Sequence, residues 1–301
     1  MELWIPITIA AAFFQNIRSV LQKRLKGRLS NAGAAYARFL YALPLACVYL
    51  ALLTDFDQHT LPSPNRVFFL YCLIGAIFQI LFTVSLLWMF SFRSFAVGTT
   101  FSKLEVIAVA LFGILILGDH LNIAACAAIL LAASGVVLLS TSESGLSLNS
   151  LPDDLKSKPT IVGMSCAFWL GGSVVFFRGA ALALEYEEFL ITAAFTLVSS
   201  LLIQTVLFGT WIALREPGEW QRLIKAWRPA SLVGIAGLIS SIGWFTAFTI
   251  EKAAYVRALG QVELLFAFVA TLIFFKEQVK IREIVGACLV AASVLVIVLI
   301  E

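Results

Sequence analysis

Ten apolar stretches, each long enough to cross a bilayer, fill almost all of this 301-residue chain. They fall at roughly 3–21, 32–53, 67–90, 95–117, 122–140, 160–184, 189–213, 230–250, 253–275 and 284–300. A spanning helix needs about 20 predominantly apolar residues. Lipid offers the backbone no hydrogen-bond partners, so only helices and closed barrels span it. These stretches are continuous rather than alternating, which excludes a barrel and predicts an all-α bundle. The composition agrees: 61% of residues are hydrophobic and 13% charged, against about 25% charged in soluble domains.

The remaining composition removes other classes. The formal charge is only +3, and no basic cluster is interleaved with stacking aromatics, so no nucleic-acid partner is expected. Five cysteines lie inside apolar stretches with no CxxC spacing, against a disulfide framework or a zinc site. No HExxH or GxSxG motif, no clustered histidines and no acid pair beside a nucleophile occur, so an enzyme and a cofactor are not expected. The first stretch lacks a basic leader region and reads as a retained spanning helix rather than a cleaved signal.

Two segments interrupt the apolar pattern. Residues 141–158, TSESGLSLNSLPDDLKSK, are polar and rich in Ser, Pro and Asp. They divide the chain into a first five-helix repeat (1–145), a linker (146–158) and a second repeat (159–301). Residues 214–228 place Trp220, Leu223, Ile224 and Trp227 at helical spacing, with Arg222 and Lys225 off that face. This predicts a short helix resting on the membrane surface. Sliding the second half back by 158 residues lays Glu263 on Glu105, Glu277 on Asp119 and Gly260 on Ser102. An odd number of helices per repeat puts the halves in opposite orientations, an inverted-repeat design with its site near the midplane.

Glu105 and Glu263 are the residues most in need of explanation. An acid deep in a membrane helix is costly and marks a site or a pathway. Removal from water disfavours the charged form, so such a group suits proton exchange coupled to export. The competing structural reading is an ion pair with an intramembrane cation. Lys103 stands two residues from Glu105, on another side of the helix, so those two are not expected to pair. Arg18, Arg38 and Arg257 are the other cations deep in the apolar stretches, with Arg178 near the end of its own; for Arg38 and Arg257 pairing or snorkelling competes with a site role. Both signs of charge suit a zwitterion or an organic anion better than a lipophilic cation. Gln15, Asn16, Gln79 and Gln261 are candidate hydrogen-bonding groups, with interhelical bonding as the alternative. Trp169 and Trp244 lie well inside their stretches and are candidate aromatic walls, with plain packing as the alternative. Asp119 and Glu277 sit at helix ends, where capping of the next helix is the expected role.

Ten helices, a 5+5 duplication and an acid after the fourth and ninth stretches resemble the drug/metabolite transporter superfamily, in particular its EamA-type members. The segments carrying the resemblance are LEVIAVALFGILILGDHL (104–121), with its Leu117-Gly118-Asp119, and VELLFAFVATLIFFKEQV (262–279). Arg38 in AYARFLYALP matches the usual arginine of the second helix. The resemblance implies an exporter or exchanger with a central cavity lined by helices 1, 3, 4, 6, 8 and 9. The expected substrate is a small polar or amphipathic metabolite, an amino acid or related compound, moved by alternating access with protons as partner. A flippase for a lipid-linked intermediate is the nearest rival, kept open by the basic loops, and a scaffolding bundle a more distant one. Lys23, Arg24, Lys26 and Arg28, then Arg215, Arg222, Lys225 and Arg228, then Lys276, Lys280 and Arg282 follow odd-numbered stretches. The positive-inside rule therefore places both termini outside an inner membrane, whereas the resemblance implies termini inside. Monomer and homodimer both remain open.

Overall fold

The computed structural model describes residues 2–25, 28–56, 60–89, 92, 101–143, 158–270 and 281–300, and the described residues are helical with short connections. In chain order the elements are α1 (Trp4–Leu25), α2 (Asn31–Leu40), α3 (Leu43–Phe56), α4 (Arg66–Met89), α5 (Glu105–Phe112) and a π-helical turn (Gly113–Leu117). They continue with α6 (Ile123–Glu143), α7 (Lys158–Ala183), α8 (Phe189–Arg215), α9 (Glu219–Lys225), α10 (Trp227–Ile250), α11 (Ala253–Gly260), α12 (Val262–Ala270) and α13 (Ile281–Ile300). Among the described residues, six segments are long and apolar enough to cross a membrane: 31–55, α4, α7, α8, α10 and 281–299. Residues 146–157 of the predicted linker and Glu277 lie outside the described residues, and the last linker position, Lys158, opens α7.

Among the described residues, three of the predicted continuous helices are broken, the first of them for a local reason. The second stretch breaks at Tyr41-Ala42. Pro44 has no N–H to offer the carbonyl one turn back, and a proline inside a helix costs about 3 kcal/mol. The fourth stretch breaks at Lys103-Leu104 and the ninth at Gln261. At these two breaks the chain tightens into i→i+3 bonds, Leu104 N–H to Phe101 O at 3.2 Å and Gln261 N–H to Ala258 O at 3.2 Å. The π-helical turn after α5 ends at Gly118, whose φ of +67° is left-handed, a backbone that costs glycine nothing.

The most extensive packing runs between the two halves of the chain: α4 on α7, α1 on α10 and α6 on α13. The last pair approaches closely enough that a Cβ added to Gly135 would stand 2.7 Å from the Gly286 carbonyl oxygen. Ser293 Oγ–H adds a bond to the Ala128 carbonyl at 2.8 Å across the same pair. With no hydrophobic drive between helices in lipid, such close backbone approach is what holds them together.

The short helix in 214–228 forms as α9, but it does not simply rest on a surface. Glu219 and Leu223 are fully buried, whereas Ile224 is 64% and Trp227 55% exposed. Positions 220, 223 and 226 share one helical side, and that side docks on α2: Trp220 meets Tyr36 edge-on at 5.4 Å. The four-residue apolar face expected from spacing is thus split, with Ile224 and Trp227 turned outward.

Candidate functional site

Both helix breaks open directly onto the two acids. Glu105 is the first residue of α5 and Glu263 the second residue of α12. A carboxylate in a first helical turn meets the positive end of the helix dipole, worth about 0.3–1 kcal/mol. The breaks were not legible as such, because no proline stands at either and the single Ser102 and Gly260 beside them are tolerated within an apolar helix.

Each acid is paired with a cation from the other half of the chain. Glu105 Oε1 meets Arg257 Nη2, with both side chains about 95% buried. Glu263 Oε1 accepts from Lys103 Nζ, whose side chain is 23% exposed, and its Oε2 accepts from Gln15 Nε2 at 3.1 Å. The structural reading of the acids therefore holds at the level of contacts, and the expectation that Lys103 would not pair with Glu105 is consistent with its bond to Glu263. The two glutamates occupy equivalent positions of the 158-residue offset, but their cations do not. Arg257 lies one turn before its break, and Lys103 lies in its break. Trp244 covers Arg257, with the guanidinium carbon 4.7 Å from the ring centroid, and stacks on Phe248 at 5.5 Å. It reaches there because Gly260 leaves room: a Cβ at that position would stand 2.5 Å from the indole.

The pairs are not sealed. They border a cavity of about 300 Å³ lined by Gln15, Asn16, Arg18, Arg38, Gln79, Ser102, Lys103, Glu105, Trp244, Arg257 and Glu263, with Phe177, Phe245 and Phe248 among its apolar walls. That is the low end of the about 300–1,000 Å³ of small-molecule sites. Leu197, Ser200, Leu201 and Gln204 of α8 line it too, as does Arg38 of α2. The second and seventh stretches therefore contribute, beyond the six helices that the resemblance implied. Gln79 Oε1 is held by Ser173 Oγ–H at 2.8 Å.

Three expected site residues stand elsewhere. Trp169 does not border the cavity; it belongs to an aromatic cluster, 4.9 Å from Phe78 and 5.0 Å from Phe168. Gln261 is 1% exposed and also off the cavity, its amide directed to the Arg257 carbonyl at 3.4 Å. It sits in the break, where its side chain substitutes for lost helical partners. Asp119 does not cap the following helix: Asn122 Oδ1 accepts from Ala125 N–H at 2.7 Å and takes that role. Asp119 instead turns back to Gly113, its N–H on that residue's carbonyl at 3.1 Å.

Residues 2–141 match the model of the EamA-like transporter family, part of the drug/metabolite transporter superfamily. Together with the apolar helices long enough to cross a bilayer, that likeness of the first half supports a multi-pass membrane protein. No curated protein matches the chain in sequence. A crystal structure of another protein superimposes with a TM-score of 0.68, covering 99% of this chain and 96% of its own length at 15% identity. At that identity the likeness speaks for the fold alone.

Proposed function

We propose that this chain, EamA-like over residues 2–141, is a ten-helix transporter of two inverted five-helix repeats. It would carry a small polar or amphipathic metabolite, an amino acid or related compound, by alternating access out of the cell. Support for the two repeats comes from the contacts. Numbering the apolar stretches one to ten, the third packs on the sixth, the first on the eighth and the fifth on the tenth. Adding five to each member of a pair, modulo ten, turns this set into itself. Support for a midplane site comes from the helix breaks, which fall within two residues of each other on the 158-residue offset and border the one cavity described above. Discontinuous helices facing a cavity at the repeat interface are a transporter device.

The observation that carries the reading is the pair of crossed ion bridges, Glu105–Arg257 and Lys103–Glu263, beside a space able to hold a metabolite. Both join the broken helix of one half to that of the other. A bridge between halves that rock against each other is a switch when a proton or a substrate group can replace one partner. Proton exchange at Glu105 or Glu263 is the coupling step of this proposal. Its test uses purified protein in liposomes under a pH gradient, with efflux of labelled amino acids followed. Glu105→Gln and Glu263→Gln are expected to abolish the dependence of flux on the gradient. Flux and gradient dependence unchanged in the double variant would refute the coupling.

A further inference from the structure

Once the crossed bridges are set aside, the cavity's remaining charge has one sign. Four cations, Arg18, Arg38, Lys103 and Arg257, border it against two carboxylates, Glu105 and Glu263. Each carboxylate is taken by Lys103 or Arg257. Arg18 and Arg38 form no ion pair among the described residues. They stand together: a Cβ on Gly237 would lie 3.4 Å from Arg18 Cδ and 3.9 Å from Arg38 Cβ, and the two guanidiniums repel one another. Arg18 Nε is buried without a hydrogen-bond partner. Arg38 has one compensation, the ring of Phe39 at 4.8 Å. A cation–π contact is worth about 0.5–2 kcal/mol, far less than the several kcal/mol it costs to bring one ion out of water. Two forks of N–H donors facing one hollow match the geometry of a carboxylate or phosphate.

We propose that the ligand of this cavity is an organic anion, its carboxylate or phosphate group held between Arg18 and Arg38 and its apolar part against the aromatic wall. This rests on the transport reading and, within its class of small amphipathic metabolites, puts an organic anion in place of the amino acid named there. A cationic amine would meet two unpaired guanidiniums, and a zwitterion would find both carboxylates already occupied. The crossed bridges make this a discrimination rather than a general affinity: while they are closed, Lys103 and Arg257 rather than the ligand occupy the acids.

The test is thermal stabilisation of the purified full chain in nanodiscs by three probes of matched shape, 3-phenylpropionate, phenylalanine and phenethylamine. Stabilisation by 3-phenylpropionate in preference to the other two is expected. Arg18→Gln and Arg38→Gln should each weaken its apparent affinity about tenfold or more, the loss of a charge-assisted hydrogen bond. Should the glutamine variants fold poorly, Arg38→Lys keeps the charge and loses the fork; partial retention of binding is expected there. Preference for phenylalanine or phenethylamine overturns the anion assignment while leaving a ligand-binding cavity, and with it the transport reading, intact. No response to 3-phenylpropionate, or a response unchanged in Arg18→Gln, also overturns it. Phosphatidylglycerol in the nanodisc that suppresses the response assigns the anion to a lipid headgroup; an undiminished response assigns it to a soluble metabolite.

Discussion

Arg257 and Lys103 hold the two acids on unequal terms. Both members of the Glu105–Arg257 pair are about 95% buried. Arg257→Gln leaves a carboxylate in the interior with no counter-charge, which costs about 3–5 kcal/mol. Lys103 is 23% exposed, and Gln15 still donates to Glu263 when it is gone, so Lys103→Gln should cost nearer about 1 kcal/mol. Thermal unfolding in detergent should rank Arg257→Gln well below Lys103→Gln. The double change Glu105→Leu with Arg257→Leu should unfold at a higher temperature than Arg257→Gln alone, because it buries no unpaired charge. An equal loss in all of these would mean that the pair is solvated.

Element ends set which parts can separate. Ser30 precedes α2 in extended backbone, and its Oγ accepts from Gly33 N–H at 2.9 Å. The same Oγ–H donates to Glu216, and Ser30 N–H donates to Glu219 Oε1 at 2.7 Å. Both acids belong to the segment around the start of α9, in the other half. Negative charge at a helix N-terminus is favourable, so this cap also latches the two halves on one face. Ser30→Ala should lower stability by about 1 kcal/mol, read in the unfolding midpoint. The effect should shrink to a few tenths of a kcal/mol when Glu216→Gln and Glu219→Gln are already present, since adjoining groups are not additive. At the α6–α13 contact, Gly286→Val should be more damaging than a valine at any lipid-facing position of α13. An added Cβ at 286 would already lie 2.9 Å from the Gly135 carbonyl oxygen, and backbone there has no way to retreat.

At the scale of the whole molecule, the halves are not two bodies side by side. The largest contacts, α4 with α7, α1 with α10 and α6 with α13, all cross between them. Neither half has its own closed core. Residues 1–145 produced alone should remain protease-sensitive and aggregate. Co-produced with 159–301 they should assemble into a complex that purifies together and unfolds in one step. Independent folding of either half would show that the interleaving is incidental to stability.

The sequence by itself settled the solvent of this chain, since uninterrupted apolar runs have one stable answer in lipid, the hydrogen-bonded helix. It also carried the EamA resemblance and singled out Glu105 and Glu263, because a lone charge in an apolar run stands out against its neighbours. Which cation each acid meets was not readable. Arg257 and Lys103 reach partners 152 and 160 positions away, and no local period encodes a distance of that kind. The helix breaks at Lys103-Leu104 and Gln261 were hidden for the same reason: their propensity is helical, and only the cavity and the opposing helix make interruption the lower state. Trp169 and Trp244 looked alike as buried aromatics, yet only Trp244 has a glycine facing it and an arginine beneath it. Depth in the membrane follows from composition along one helix, whereas facing into a shared hollow depends on how several helices rotate against one another, and packing alone sets that.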